Sequence, residues 1–177
     1  MPDMYKQYKE AVVPKLKEKH GYNVMEIPRL SKILVTTGIG AGEEKDAFTE
    51  AKKNIATITG QTPVITKSSK NIANFKLRKG MPVGVMVTLR NKRMYEFLDR
   101  FVHYVLPQVR DFRGISPKGF DGSGNYSMGL NDISVFTEID LDKLKHPMGI
   151  NICFVTTAKT NEEALELLSL LEMPFAK

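Results

Sequence analysis

Gly38, Gly40 and Gly42, in the run Gly38-Ile39-Gly40-Ala41-Gly42, have the spacing that turns a backbone tightly around a phosphate. A dinucleotide fingerprint needs G-x-G-x-x-G, with an acidic residue about 20 positions on for the ribose. Here the third glycine comes one residue early, and the next expected strand, Val64 to Ser68, offers no carboxylate. The run reads better as a tight strand-to-helix connection whose open amides can meet an RNA phosphate. His20, His103 and His146 are scattered, with no second ligand at metal spacing. Cys153 lies mid-strand among Ile152, Phe154 and Val155 and reads as a core residue rather than a nucleophile. Glu138, Asp140 and Asp142 could form a catalytic carboxylate pair, but nothing basic or nucleophilic accompanies them. A solvated or protein-facing loop is the better reading. No catalytic constellation, metal site or cofactor site is expected.

Phosphate chemistry is better represented. The 177 residues carry 26 Lys and Arg against 20 Asp and Glu, a formal net charge of +6. The excess is uneven. Residues 1–113 hold 21 basic and 11 acidic side chains, a balance of +10, and residues 114–177 hold 5 and 9, a balance of −4. Between Ala51 and Tyr95 there is no acid, only the ten cations Lys52, Lys53, Lys67, Lys70, Lys76, Arg78, Lys79, Arg90, Lys92 and Arg93. A solvated face normally mixes signs, so an acid-free run points to a partner that supplies the anions.

The same composition excludes other classes. One cysteine rules out a disulfide framework, and no apolar run approaches the roughly 18 residues of a membrane span. The N-terminal residues are rich in Lys and Glu and lack the apolar core of a signal peptide. A reducing, intracellular setting without membrane contact is the expectation.

The elements that must position these residues follow from periodicity. Helices are expected over Asp3 to Lys19 (with Tyr5, Tyr8, Val12 and Leu16 near one face and Pro14 inside), Asp46 to Ile58, Lys92 to Val105 and Thr160 to Leu171. The last begins with a capping box, Thr160-Asn161-Glu162-Glu163. Strands are expected at Lys32 to Thr37, Val64 to Ser68, Pro82 to Arg90, Tyr126 to Leu130 and Gly149 to Thr157. Their one-sided alternation fits an α+β fold: a mostly antiparallel sheet with helices packed on one face and the other face open for a partner. No linker or repeat divides the chain, so residues 1–177 are read as a single RNA-binding domain, basic over 1–113 and acidic-leaning over 114–177.

On the open face of Pro82 to Arg90 stand Gly84, Met86, Thr88 and Arg90. Small residues there let a phosphate backbone approach, Thr88 can donate to a phosphate or 2′-hydroxyl, and Arg90 can fork onto phosphate or stack on a base. Lys67 adds charge from the neighbouring strand. The basic, amide-rich loop Ser69 to Gly80 carries one aromatic, Phe75. It reads as a finger for structured RNA or as a mobile loop with Phe75 and Leu77 folded back on the core. The stretch Lys79-Gly80-Met81-Pro82-Val83-Gly84-Val85 lacks the stacking aromatics of an RNA-recognition motif, so recognition should lean on shape, phosphates and 2′-hydroxyls. A general RNA chaperone and a small nucleotide-using enzyme are the competing classes.

Several segments together resemble one family: Ile58-Thr59-Gly60-Gln61-Thr62-Pro63-Val64-Ile65-Thr66-Lys67, Val87-Thr88-Leu89-Arg90 with Met94-Tyr95-Glu96-Phe97, Arg110-Asp111-Phe112-Arg113-Gly114, Phe120-Asp121-Gly122-Ser123-Gly124-Asn125-Tyr126-Ser127-Met128-Gly129, Thr156-Thr157-Ala158-Lys159 and Pro174-Phe175. Their order and spacing are similar to those of the fifth large-subunit ribosomal protein family of bacteria, the 5S rRNA binders of the central protuberance. The resemblance runs nearly end to end. It implies a cytoplasmic, ribosome-bound structural protein, not an enzyme. It implies 5S rRNA on the open sheet face, at Thr36, Gln61, Lys67, Thr88 and Arg90. The family usually has Asn at the position of Thr36; threonine keeps one hydrogen bond but loses the two-sided pairing of an amide. The resemblance further implies that the basic loop approaches peptidyl-site tRNA, through Lys70, Asn74, Lys76, Arg78 and Lys79. It implies neighbouring large-subunit proteins of the 5S complex as partners. It also implies that the acidic C-terminal side bridges to a basic protein of the small-subunit head.

Overall fold

The computed structural model describes residues 3–40, 45–110, 112–139, 146 and 148–176. Ala41 and Gly42 of the glycine run, and Asp140 and Asp142 of the acidic segment, lie outside the described residues, as does Asp111. Helices and strands interleave along the chain: α1 (Asp3–Gln7), α2 (Val13–His20), β1 (Leu30–Gly38), α3 (Lys45–Thr59), β2 (Val64–Lys67), β3 (Pro82–Leu89), α4 (Asn91–Arg100), α5 (Leu106–Gln108), β4 (Tyr126–Leu130), β5 (Ile150–Thr156) and α6 (Asn161–Leu170). The strands form one antiparallel sheet in the order β2-β3-β1-β5-β4. The expected α+β class and all five expected strands are present.

The chain clusters into two compact units, each built from separated segments. One comprises residues 1–33, 90–128 and 153–177, the other residues 34–89 and 129–152. Neither follows the boundary between the basic and acidic stretches, because sheet pairing joins strands that are distant in sequence.

In the first unit, a π-helical turn over Tyr8–Val12 joins α1 to α2. Pro14 lacks an N–H, and its ring would press on the carbonyl four residues back; the widened turn in front of it absorbs both. The single helix expected over Asp3 to Lys19 is thus interrupted by a π turn. The buried stripe is Met4, Tyr8, Val12 and Leu16, with Tyr5 only half-buried at its edge. Gly21, at φ 67°, stops α2 and returns its N–H to the Lys17 carbonyl at 2.9 Å. The same device recurs in front of Pro107: a π turn over Phe101–Val105 separates α4 from α5. The long helix therefore ends at Gln108 rather than at Val105. Tyr5 and Tyr8 pack on Tyr95 of α4, with ring centroids 5.1 and 6.2 Å apart. Thr160 caps α6 by accepting from the Glu163 N–H, and Glu163 accepts in turn from the Lys159 N–H at 2.9 Å.

The long glycine-rich segment of this unit is a built loop. The Asp121 carboxylate accepts from the Ser123 and Asn125 N–H groups and from the Asn125 side chain, at 2.7 to 3.0 Å. These bonds hold the Asp121 carboxyl below the usual carboxylate range, the Asn125 side chain contributing most. Gly124 is required there, since an added Cβ would meet the Ala158 carbonyl at 2.7 Å.

In the second unit, α3 packs on β3 and β2. Its buried stripe of Ala47, Phe48, Ala51, Ile55 and Ile58 repeats at helical spacing. On β3 the alternate residues Val85, Val87 and Leu89 are buried, and Met86 and Thr88 are half-exposed. β1 repeats the pattern, with Val35 and Thr37 buried and Leu34 and Thr36 half-exposed. One face of these strands is core, and the other is open.

Candidate nucleic-acid interface

The open face of the second unit brings two of the expected residues together. Gly60, at φ 64°, ends α3 and turns the chain back toward the sheet. Thr59 anchors that turn, its hydroxyl donating to the Ile55 carbonyl at 2.7 Å. Gln61 follows, and its Nε2 donates to the Thr88 carbonyl at 3.1 Å. The amide oxygen of Gln61 and the hydroxyl of Thr88 have no protein partner among the described residues. An acceptor from the connection between α3 and β2 and a donor–acceptor from β3 are thus tied through the Thr88 carbonyl, both residues half-buried.

The remaining residues are placed as follows. Thr36 lies on the half-exposed side of β1 and donates a long hydrogen bond, 3.5 Å, to the Asn151 carbonyl. Its hydroxyl is therefore partly engaged by the sheet itself. Lys67 is exposed at the end of β2. There the pairing slips, Thr66 opposing Gly84 but Lys67 opposing Pro82, so strand alternation no longer assigns it to a face. Arg90 is exposed, belongs to the first unit, and holds the extended N-cap position of α4. Asn151 is exposed on β5, between the buried Ile150 and Ile152.

Two readings from the sequence change. Gly84 is buried, and an added Cβ would press into the Thr37 carbonyl. Its small size serves the approach of the protein's own backbone, not of a phosphate. At the start of the glycine run the Ile39 N–H is not open: it donates to the Val83 carbonyl at 3.0 Å, so β1 continues its pairing to that residue. That amide is unavailable to a nucleotide or an RNA phosphate.

The basic loop is a folded finger. Ile72 and Leu77 exchange both backbone hydrogen bonds, at 2.9 and 3.0 Å, around a 3-10 turn over Ala73–Phe75. Lys76 takes the left-handed conformation at φ 53° and donates its N–H to the Ala73 carbonyl. At the base, Ser68 and Met81 pair, Gly80 donates to Ser68, and Asn71 Oδ1 accepts from the Lys79 N–H at 2.7 Å. Lys70, Asn74, Lys76, Arg78 and Lys79 are all exposed on it. None of the four cations has an ion pair among the described residues. Leu77 is half-buried as one reading expected, but Phe75 stays in solvent.

The residues with catalytic potential have structural partners. His20 contacts Glu166 at 2.9 Å, with Lys19 on the other carboxylate oxygen at 2.8 Å. His103 lies between Asp99 and Glu172 at 2.9 and 3.0 Å. Cys153 is half-buried rather than core, because it faces away from Ile152 and Phe154, and it accepts from the Ser127 hydroxyl at 3.2 Å. Among the described residues no group of three His, Cys, Asp or Glu side chains could hold a metal ion, and no helix is long and apolar enough to cross a membrane.

Comparison with known proteins adds an independent finding. A family model described as ribosomal protein L5 matches residues 23–78, and a second model, described as the C-terminus of that ribosomal family, matches residues 82–175. The chain is 51% identical over 179 residues to the large ribosomal subunit protein uL5 of Caldanaerobacter subterraneus subsp. tengcongensis, covering 100% of both chains. It is 51% identical over 179 residues to that of Carboxydothermus hydrogenoformans, again over 100% of both. It is 52% identical over 172 residues to that of Alkaliphilus oremlandii, covering 96% of each.

Proposed function

Since the chain belongs to the ribosomal protein L5 family, we propose that it holds 5S rRNA on its open sheet face and reaches peptidyl-site tRNA with its basic finger. Membership makes it a structural constituent of the large ribosomal subunit, ribosome-bound in the bacterial cytoplasm, and not an enzyme. Residues 1–177 work as one RNA-binding domain, a reading supported by the two matched segments, each of which runs through both compact units. The −4 balance of residues 114–177 supports a basic small-subunit head protein as the partner bridged on that side, with other large-subunit proteins as neighbours in the 5S complex.

The observation that carries the 5S reading is the Gln61–Thr88 hydrogen bond, which ties a residue with an unpaired amide oxygen to one with an unpaired hydroxyl on β3, in a stretch with no acid between residues 51 and 95. Such groups read 2′-hydroxyls and phosphates by position. The test is 5S rRNA affinity of the double variant Gln61→Ala, Thr88→Val beside its melting temperature. Loss of two hydrogen bonds weakens binding by about tenfold or more with the fold intact. Unchanged affinity in a folded variant sinks the sheet-face assignment, and equal affinity of the parent for unrelated structured RNAs points to a general chaperone instead.

A further inference from the structure

Of the nine phenylalanines, Phe75 alone is exposed, at 67%. It has no aromatic neighbour among the described residues, and Ile72 beside it is itself 39% exposed. This is not a loose loop that fails to bury its ring. The reciprocal Ile72–Leu77 bonds, the left-handed Lys76 and the Asn71 brace on Lys79 fix the backbone on both sides of it. The ring is held out by an ordered turn. Its surroundings are cationic, with Lys70, Lys76, Arg78 and Lys79 exposed on the same finger and no acid within the surrounding 45 residues, 51 to 95. The rim carries cations and neutral amides but no acid. A ring set in it suits a ligand with a flat apolar face and flanking anions.

We propose that Phe75 is a stacking platform for an unpaired nucleobase in a folded RNA, with the finger's cations holding the phosphates on either side. The inference rests on the finger meeting RNA, as proposed above, and adds the chemical feature it takes there: an unstacked base rather than a helical backbone. A base–aromatic stack is tolerant of base identity because every base has a π face, and cations placed beside it hold the strand in register. The finger's fixed backbone lowers the ordering cost of such a contact.

The chain contains no tryptophan, so Phe75→Trp makes a single reporter at the ring's own position. The probes are an unmodified transfer RNA transcript and a blunt RNA duplex of similar length, which has phosphates but no unpaired base. The full-length variant should be strongly quenched by the transcript and little changed by the duplex at saturation. Phe75→Ala should weaken transcript binding by roughly tenfold with an unchanged melting temperature, and Phe75→Trp should retain it. If Phe75→Ala binds as the parent does, or the bound transcript leaves the tryptophan emission unchanged, stacking is overturned. The variant Lys76→Gln, Arg78→Gln separates the two readings. Should it lose affinity while the Phe75 variants do not, the finger meets RNA through charge alone. Should no finger variant change affinity, both readings fall. An emission shift that depends on protein concentration without RNA assigns the ring to a protein contact and also overturns the proposal.

Discussion

At Gly84 the side chain is missing because the Thr37 carbonyl of the neighbouring strand occupies its place. Gly84→Ala must displace backbone, and overpacking of this kind costs about 1–3 kcal/mol. For a chain of this length that lowers the melting temperature by roughly 2 to 12 °C, which thermal unfolding measures directly. The sequence allows two explanations of a small residue on an open strand, and only the strand next door decides between them. Cys153 is similar: its apolar neighbours suggest a core position, but its own parity on β5 puts it opposite them. By contrast Thr88 is a candidate from strand alternation and Gln61 through the resemblance, while the bond that joins them was not readable, since 27 residues separate them. Thr36 gives the second prediction at this scale. Its hydroxyl makes only a long bond to the Asn151 carbonyl, so Thr36→Asn restores an amide with both a donor and an acceptor to present outward. The variant should bind 5S rRNA roughly threefold to tenfold more tightly in a direct titration, the worth of one hydrogen bond. A weaker complex would mean that threonine is the better fit at this position.

Elements were the most legible scale, because periodicity is a local property. β3 alternates and α3 repeats at helical spacing, so both were readable to within a residue or two. What periodicity does not carry is the π turn, which adds a residue to a helical turn without changing the residue types that line the core. Both π turns stand in front of a proline, at Pro14 and Pro107, and that pairing is a readable signal. The second π turn carries His103, which ties Asp99 of α4 to Glu172, just beyond α6, where Gln7 of α1 also donates to the carboxylate at 2.6 Å. Burial alone would lower the His103 pKa, but the Asp99 carbonyl and the Glu172 carboxylate outweigh it and raise the value. The folded state therefore favours the protonated ring. Its contribution is fully present below the unfolded value of about 6.5 and is lost as the pH rises through the higher folded value. The side chain is 44% exposed, so the ion pairs are screened and are worth only about 0.5 kcal/mol. His103→Gln should thus lower the melting temperature by about 1–2 °C at pH 5.5 and by less at pH 8.5. Equal losses at both pH values would show that the ring acts by packing and not by charge.

For the whole molecule, a net charge of +6 says little until its distribution is known. The acid-free stretch from Ala51 to Tyr95 runs through most of α3, β2, the finger, β3 and the start of α4, and four of its ten cations stand on the finger. The sheet face offers a hydroxyl and an amide held by backbone, and the finger offers unpaired cations around an exposed ring. That difference predicts a division of labour between two RNAs. Replacing Lys70, Lys76, Arg78 and Lys79 together by Gln removes up to four phosphate contacts from whichever RNA the finger touches. Each contact contributes roughly 0.7–0.9 to the slope of log affinity against log salt, so losing four flattens that slope by about 3. The flattening should appear with a transfer RNA transcript and be absent with 5S rRNA, whose affinity stays within about twofold. The Gln61→Ala, Thr88→Val variant should do the reverse: weaker 5S binding at every salt concentration, an unchanged slope, and unchanged binding of the transcript. Salt titrations of both variants against both RNAs give the four slopes. A finger variant that flattens the 5S slope by the same amount would merge the two surfaces into one 5S interface and leave the tRNA contact without its structural basis.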